Sequence, residues 1–141
     1  MKKVLVMFLL VLFSFSSISY AETPDPEKWH YVGRAVDGNS HYLYIPDLNV
    51  ARQLYKRNPY QNNFKIWVLT ILTDDSFEKA QFEYDLSEKK QTKMLKVVEY
   101  DKNGKLGKSE DFSQIAEWWI VVPDTAGEAL YDNVVKWVKA K

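Results

Sequence analysis

The sequence predicts an α+β fold in which a single antiparallel β-sheet, a meander of about six strands, carries one C-terminal α-helix packed on one face. Two observations favour this class. Short runs of β-branched and aromatic residues alternate with turn signals between residues 29 and 122. The apolar period changes to that of a helix only after Pro123. We expect one domain over residues 29–141, preceded by a signal peptide at 1–21 and a linker at 22–28.

The first residues have the pattern of an export signal. Lys2 and Lys3 precede an unbroken apolar run at 4–13, and the small residues of Ser19-Tyr20-Ala21 form a cleavage site. The run is too short to cross a bilayer as a helix, which takes about 20 residues. No cysteine follows the run, which excludes a lipid anchor at a mature N-terminal cysteine. We therefore expect a periplasmic or secreted protein that is not a lipoprotein and has no stable membrane span after cleavage.

Charge and composition exclude several classes of function. The chain has 19 basic and 19 acidic residues, and loss of Lys2 and Lys3 with the signal leaves 17 against 19, a net charge of −2. This balance gives no reason to expect nucleic acid as a partner. The sequence has no cysteine, only two histidines, and neither a glycine-rich phosphate loop nor a G-x-S-x-G motif. We expect no cofactor and no catalytic residues.

The first two strands flank Asp37-Gly38-Asn39-Ser40, the strongest hairpin signal in the chain. A two-residue turn at Gly38 and Asn39 pairs His41 with Val36. In this register Tyr31 lies on the same face as Tyr42 and Tyr44. The two histidines are then about 20 Å apart, which argues against a shared metal site.

Further strands follow in chain order. Pro46-Asp47 is expected to close the second strand, and residues 48–63 to lead into a loop. Residues 64–73 are nearly all apolar, as in a central strand covered on both faces. The remaining strands are expected over residues 80–86, which alternate strictly between apolar and polar, and over 91–100, 105–112 and 118–122.

The last segment has the pattern of a capped helix. Thr125 and Glu128 form a capping box, in which the threonine oxygen accepts from an early backbone N–H and the glutamate reaches back. An apolar stripe then follows at helical spacing, made of Leu130, Val134, Trp137 and Val138. The sheet is the only large apolar surface on which this stripe can pack.

Side chains that could carry chemistry are few. The acid pairs Asp74-Asp75 and Glu83/Asp85 would suit a small hydrolase, but a turn and a solvated strand face also place acids there. Two surfaces could support binding. One is the tyrosine face of Tyr31, Tyr42 and Tyr44, since tyrosine is a rigid ring with a polar tip. The other is a basic patch, Lys89, Lys90, Lys93 and Lys96, which could engage an acidic matrix polymer.

Several segments together resemble the surface-adhesin protein E-like domain of exported bacterial proteins. They are Trp29 with YLYIPD at 42–47, FEYDL at 82–86, VVEYDKNGK at 97–105 and WWIVVPDTAGEALYDNVV at 118–135. The resemblance covers nearly all of residues 29–138. It implies a six-stranded antiparallel sheet with a C-terminal helix, often as a homodimer, and for the founding adhesin attachment to host matrix and serum proteins.

The sequence departs from this family at two positions. Members commonly have a cysteine directly after the aspartate of the FEYD-like strand and another late in the terminal helix. This chain has Leu86 and Val135 there, so the resemblance implies that an apolar pair replaces a disulfide.

We therefore expect an exported, non-enzymatic binding module with a protein partner in the extracellular matrix or the cell envelope. Two alternatives stay open at this point. One is a small periplasmic hydrolase that uses surface carboxylates such as Glu83 and Asp85. The other is a structural envelope protein that self-associates through an edge strand.

Overall fold

The computed structural model describes residues 24–141, so the predicted signal peptide lies outside the described residues. Seven strands and two helices follow in chain order: β1 (Trp29–Arg34), β2 (Ser40–Tyr44), α1 (Ile45–Arg57), β3 (Asn63–Ile71), β4 (Phe77–Asp85), β5 (Gln91–Tyr100), β6 (Leu106–Asp111), β7 (Trp119–Ile120) and α2 (Ala126–Val138). Within these residues, no helix is both long enough and apolar enough to cross a membrane.

The strands form one antiparallel sheet in which β1 to β6 are neighbours in sequence order. The short β7 pairs with the start of β5, at residues 91–92, while β6 pairs with its later part. The predicted α+β meander with a helix at the C-terminus is therefore confirmed. Because each strand pairs with the one before it, every connection in the sheet from β1 to β6 joins neighbouring strands.

Both helices pack on one side of the sheet, which we call the helix face. The core consists of alternate residues of β2, β3 and β4 and the apolar stripes of the two helices: Leu43, Leu48, Ala51, Phe64, Ile66, Val68, Tyr84, Leu86, Leu130, Tyr131, Val134 and Val138. Tyr131 also donates from its hydroxyl to the Asp85 carbonyl at 2.7 Å, joining α2 to the end of β4. This combination of apolar packing and a satisfied hydroxyl holds α2 on the sheet.

The cap of α2 has the predicted residues and a slightly different geometry. Thr125 Oγ1 accepts from the Glu128 N–H at 3.2 Å. Glu128 reaches back, but its carboxylate accepts from the N–H of Asp124 and not from that of Thr125. Thr125 Oγ also donates to the Val122 carbonyl at 2.7 Å, so the cap fixes the turn that leads into the helix.

Helix α1 was not predicted, and the expected strand end and loop at residues 46–63 are wrong up to Arg57. The chain enters the helix directly from β2. Pro46 lies in the first turn of α1. Backbone N–H groups in a first turn have no acceptor within the helix, so a proline, which lacks this group, fits there. Asp47 in the first turn and Lys56 in the last suit the helix dipole. Only Leu48 and Ala51 are buried, so the apolar stripe of α1 is narrow.

The register of the first hairpin also differs from the prediction. The turn has three residues and not two: the Gly38 N–H bonds the Ala35 carbonyl, and the Ala35 N–H bonds the Asn39 carbonyl. Gly38 has φ +89°, and a Cβ there would lie 2.7 Å from a methyl of Thr73. His41 therefore pairs with Gly33, and Val36 lies exposed at the tip of the turn.

A β-bulge at Val32 shifts the register by one more residue, so that Tyr31 pairs with Tyr42 and Trp29 with Tyr44. The three-residue turn and the bulge together shift the pairing partners of residues 29–31 by an even number of residues from the predicted register. An even shift keeps every side chain on its face. Tyr31, Tyr42 and Tyr44 accordingly share one face of the sheet despite the wrong register.

Candidate binding face

The sheet face opposite the helices, which we call the open face, is covered by no helix of the described residues. Aromatic side chains from five strands point to it, as the strand pairings show: Trp29, Tyr31, Tyr42, Tyr44, Trp67, Phe77 and Tyr100. An uncovered sheet face normally carries polar residues in alternation with the core. The concentration of aromatic rings on the wet side therefore marks this face as a candidate binding surface.

Seven of the open-face and neighbouring residues line a cleft of about 390 Å³, which we call the aromatic cleft: Lys28, Trp29, Tyr44, Trp67, Lys79, Val98 and Tyr100. The rings of Trp29 and Tyr44 lie 4.9 Å apart at 48° and form one wall. The volume falls in the range of small-molecule sites. The cleft spans β1 to β5, so it exists only when the sheet is complete.

Two buried residues form the floor of the open face. Leu69 is 5% exposed although it points away from the helices, because Tyr42 and Lys79 flank it on the neighbouring strands. Phe77 is 8% exposed and stacks on Tyr100, with ring centroids 4.7 Å apart at 11°. The open face is thus a second, shallow apolar layer that keeps its rings in fixed positions.

Lys79 lies at the centre of the aromatic cleft. Its Nζ is 5.9 Å from the Trp29 ring centroid and 5.4 Å from that of Tyr100. Both distances are within the range of cation–π attraction. The charge is therefore held between two rings from opposite sides of the cleft, where it can meet a ligand.

The tyrosine pair beside the cleft is partly exposed. Tyr31 and Tyr42 have ring centroids 5.2 Å apart, and Tyr31 is 53% exposed. Burial, with a contribution from Tyr31, raises the pKa of the Tyr42 hydroxyl above its ordinary value. The Tyr42 hydroxyl is therefore protonated near neutral pH and can donate a hydrogen bond.

The predicted basic patch divides into two groups. Lys89 and Lys90 lie exposed in the turn between β4 and β5, and Lys90 has a positive φ of 47°. Lys93 and Lys96 both point to the open face, because a β-bulge at Leu95 adds one residue between them. Lys93 Nζ lies 4.6 Å from the ring centroid of Trp118.

The predicted acid pairs do not line the aromatic cleft. Glu83 lies between Lys65 and Lys93 on the open face. Asp85 accepts from the Ser87 N–H at 2.9 Å at the end of β4. Asp74 is an exposed turn residue that accepts two hydrogen bonds from Ser76, which lower the pKa of its carboxyl. These positions are those of turns and a solvated strand.

The two histidines are closer than predicted, because His30 pairs with Leu43, two residues from His41. The 20 Å separation expected from the two-residue turn is therefore wrong. Each ring nevertheless has its own partner: His30 Nε2 bonds Asn133 Oδ1 at 3.2 Å, and His41 Nδ1 bonds Thr70 Oγ1 at 3.0 Å. Among residues 24–141 no group of three or more His, Asp or Glu side chains could hold a metal ion.

Leu86 and Val135, which stand where the resemblance places cysteines, belong to the same core. Leu86 is 5% exposed, and Val135 is a partly buried residue packed against the core that contains Leu86. The backbone N–H of Leu86 bonds the Asn62 carbonyl at 2.8 Å, which fixes the end of β4 against the start of β3.

We compared the chain with models of protein families, with curated proteins and with solved structures, and none of the three comparisons returned a match. The resemblance to the protein E-like domain therefore stays a prediction. What can be argued about function rests on the geometry of the open face.

Sequence reasoning identified the tyrosines of this face and missed the aromatic cleft beside them. Trp67 lies in an apolar run that predicts burial on both sides, and Lys79 was not assigned to any patch. The available signal was the alternation in β3, where Trp67, Leu69 and Ile71 share the face opposite the core residues. A strand with two apolar faces and a helix on only one of them leaves large side chains at the surface.

Proposed function

We propose that this protein is an exported, non-enzymatic binding module that holds a partner from the cell envelope or the extracellular matrix on its open face. The observation that carries the proposal is the aromatic surface itself. Five strands contribute rings to one uncovered face, and four of these rings line a cleft with a lysine at its centre.

The chemistry of the face supports binding. Tyrosine and tryptophan are the residues that contribute most to recognition surfaces, since a rigid ring offers a large contact area at a small cost in conformational entropy. The rings here are already fixed by contacts with one another, such as Trp29 on Tyr44 and Tyr31 on Tyr42. A preformed surface loses little freedom when a partner docks.

The titratable groups of the cleft also favour binding over catalysis. Its lining contains two lysines and two tyrosines, and the carboxylates Glu83 and Asp85 do not line it. The hydrolase alternative requires these two carboxylates to converge on a substrate in a cleft. The export part of the proposal rests on the sequence of residues 1–21.

The test is a binding measurement with matched surface variants. Immobilised matrix proteins and a periplasmic extract are used to find a partner, and its affinity for the purified mature protein is then measured. We expect Tyr31→Ala, on the open face, to weaken binding at least tenfold. Tyr60→Ala removes a tyrosine that is 92% exposed in the loop after α1, and it should leave the affinity unchanged.

A variant on the opposite face of the sheet shows which side binds the partner. Trp119 in β7 is 68% exposed and points to the helix face, since it pairs with Thr92 opposite Tyr84. If Trp119→Ala abolished binding while Tyr31→Ala left it intact, the partner would be held on the helix face and the proposal would be wrong.

A further inference from the structure

The lysines of the three central strands, β3, β4 and β5, all point to one face of the sheet. Cross-strand pairing places Lys65, Lys79, Lys93 and Lys96 on the open face, with Lys28 at the rim of the cleft. The acids of the strands lie on both faces: Glu83, Asp85 and Asp111 point to the open face, and Glu78, Glu99 and Glu110 point to the helix face. Lysines therefore outnumber acids on the open face, most clearly at the aromatic cleft, whose lining includes Lys28 and Lys79 and no acid. This local excess of positive charge is complementary to an anionic ligand.

The lysines of this face form a row beside the cleft. Lys79 in β4 pairs with Val98 in β5, and Lys96 lies two residues farther along β5. Strand geometry then separates the bases of the two side chains by roughly 8 Å. The bulge at Leu95 continues the row to Lys93 on the same face. A row of this kind fits an extended chain that carries charges at regular intervals.

Aromatic rings accompany the charges at both ends of the row. Lys79 lies over Trp29 and Tyr100, and Lys93 lies over Trp118. A ring face offers apolar contact to a flat group, while the neighbouring ammonium offers a charge-assisted hydrogen bond. A pyranose ring has a flat apolar C–H surface and a polar rim, so an acidic sugar unit matches both halves of this pattern. An acidic peptide matches only the ammonium groups.

We propose that the aromatic cleft and the row Lys79, Lys96 and Lys93 bind an acidic polysaccharide, with sugar rings against the aromatic faces and carboxylates at the lysines. This inference rests on the proposed function, since it names the ligand class of the same open face. The carboxylates of an extended uronic acid chain, one on each sugar unit, are the anions that the row would meet.

Three probes separate the contributions of charge and ring. The first is a hexamer of galacturonic acid, the second is its fully methyl-esterified form, and the third is hexaglutamate. The ester keeps the rings and removes the charges, while hexaglutamate keeps the charges and removes the rings. We expect the galacturonate hexamer to bind at least tenfold more tightly than either of the other two in calorimetric titrations at low ionic strength.

Variants assign the binding to this site. Lys79→Gln keeps most of the side-chain stem, and it should lower the affinity for the galacturonate hexamer at least fivefold. Lys56→Gln changes an exposed lysine of α1 and is the matched control, expected to have no effect. Trp67→Ala should lower the affinity for the galacturonate hexamer by as much as Lys79→Gln does. If it fails to fold, as judged by circular dichroism, Trp29→Phe provides a milder loss of ring area.

Two results would overturn the inference. Equal affinity for hexaglutamate and the galacturonate hexamer, with no effect of the tryptophan variants, would make the row an acidic-peptide site. Absence of binding to the galacturonate hexamer, while a partner is still lost in Tyr31→Ala, would reject the polysaccharide and leave the proposed function in place. If the open-face variants changed neither the affinity for a partner nor the affinity for the galacturonate hexamer, both proposals would be rejected together.

Discussion

Asp47 Oδ2 accepts a hydrogen bond from the backbone N–H of Trp67 at 2.9 Å. Pairing between β2 and β3 ends at Leu43 and Val68, so Trp67 is the first residue of β3 beyond the ladder. The carboxylate from the first turn of α1 takes the place of the missing strand partner. Since the side chain of Trp67 lines the aromatic cleft, this bond connects the helix that the sequence did not predict with the candidate site.

Asp47→Ala should destabilise the fold by about 1–3 kcal/mol, because the N–H of Trp67 loses its acceptor in a partly buried place. Asp47→Asn retains an acceptor oxygen and is the matched control, expected to cost less. Urea unfolding followed by tryptophan fluorescence measures both values. Equal stability of the alanine and asparagine variants would show that this hydrogen bond does not contribute.

Leu86→Ala should cost about 2–5 kcal/mol, the range for truncating a buried leucine. Leu86 is 5% exposed at the point where β4 ends against the core under α2. Leu106→Ala, at a position that is 59% exposed in β6, should change the stability by less than about 0.5 kcal/mol. A comparable loss in the two variants would mean that Leu86 contributes no more than a surface leucine.

Thr125→Ala should lower the free energy of unfolding by about 1 kcal/mol, the usual cost of removing a helix N-cap. The Glu128 N–H loses its acceptor, and the bond to the Val122 carbonyl is lost as well. Thr125→Ser keeps the hydroxyl and should stay within a few tenths of the parent value. The idea fails if serine and alanine are equally destabilising in urea titrations.

His41 should make the fold less stable in mild acid. Burial lowers the pKa of its imidazole from 6.5, and this effect outweighs the opposing charge of Asp37. The unfolded chain then binds a proton more readily than the folded one, so stability is complete above pH 6.5 and falls as the pH drops below that value.

The measurement is the urea midpoint at about pH 7.5 and about pH 5 for the parent and for His41→Gln, in which an amide replaces the titrating ring. The variant should lose less stability than the parent over this interval. An identical loss in His41→Gln and the parent would assign the pH dependence to other groups.

The signal-peptide prediction specifies the N-terminal residue of the exported protein. If Ser19-Tyr20-Ala21 is cleaved after the alanine, the first residue of the mature protein is Glu22. Mass spectrometry of the protein recovered from the periplasm or the medium should find this terminus. Recovery of the chain with Met1 intact from the envelope fraction would contradict the signal-peptide prediction.

The order of strands and the last helix could be predicted because their signals are local. Alternation in β4 and the Thr125 to Glu128 spacing are properties of a few consecutive residues. Helix α1 could not be recognised in the same way, because it begins without a turn after β2 and buries only Leu48 and Ala51. Its narrow stripe resembles an irregular segment when the sequence is considered alone.

The aromatic cleft was less accessible to prediction because its residues are distant in sequence. Trp29 and Tyr100 approach the same ammonium group only through the alignment of five strands. That alignment depends on the bulges at Val32 and Leu95, which shift the register without any strong signal in composition. The tyrosine face was found because an even shift in register preserves it.

The position of α2 at the end of the chain determines when the fold can be completed. Its residues Leu130, Val134 and Val138 are core residues, and Asn133 contacts His30 of the first strand. A chain that emerges in order from the ribosome therefore has no cover for much of its apolar sheet until the last helix is synthesised. Stable folding must then follow the synthesis of the last helix, and a delay of this kind is compatible with the export that residues 1–21 predict.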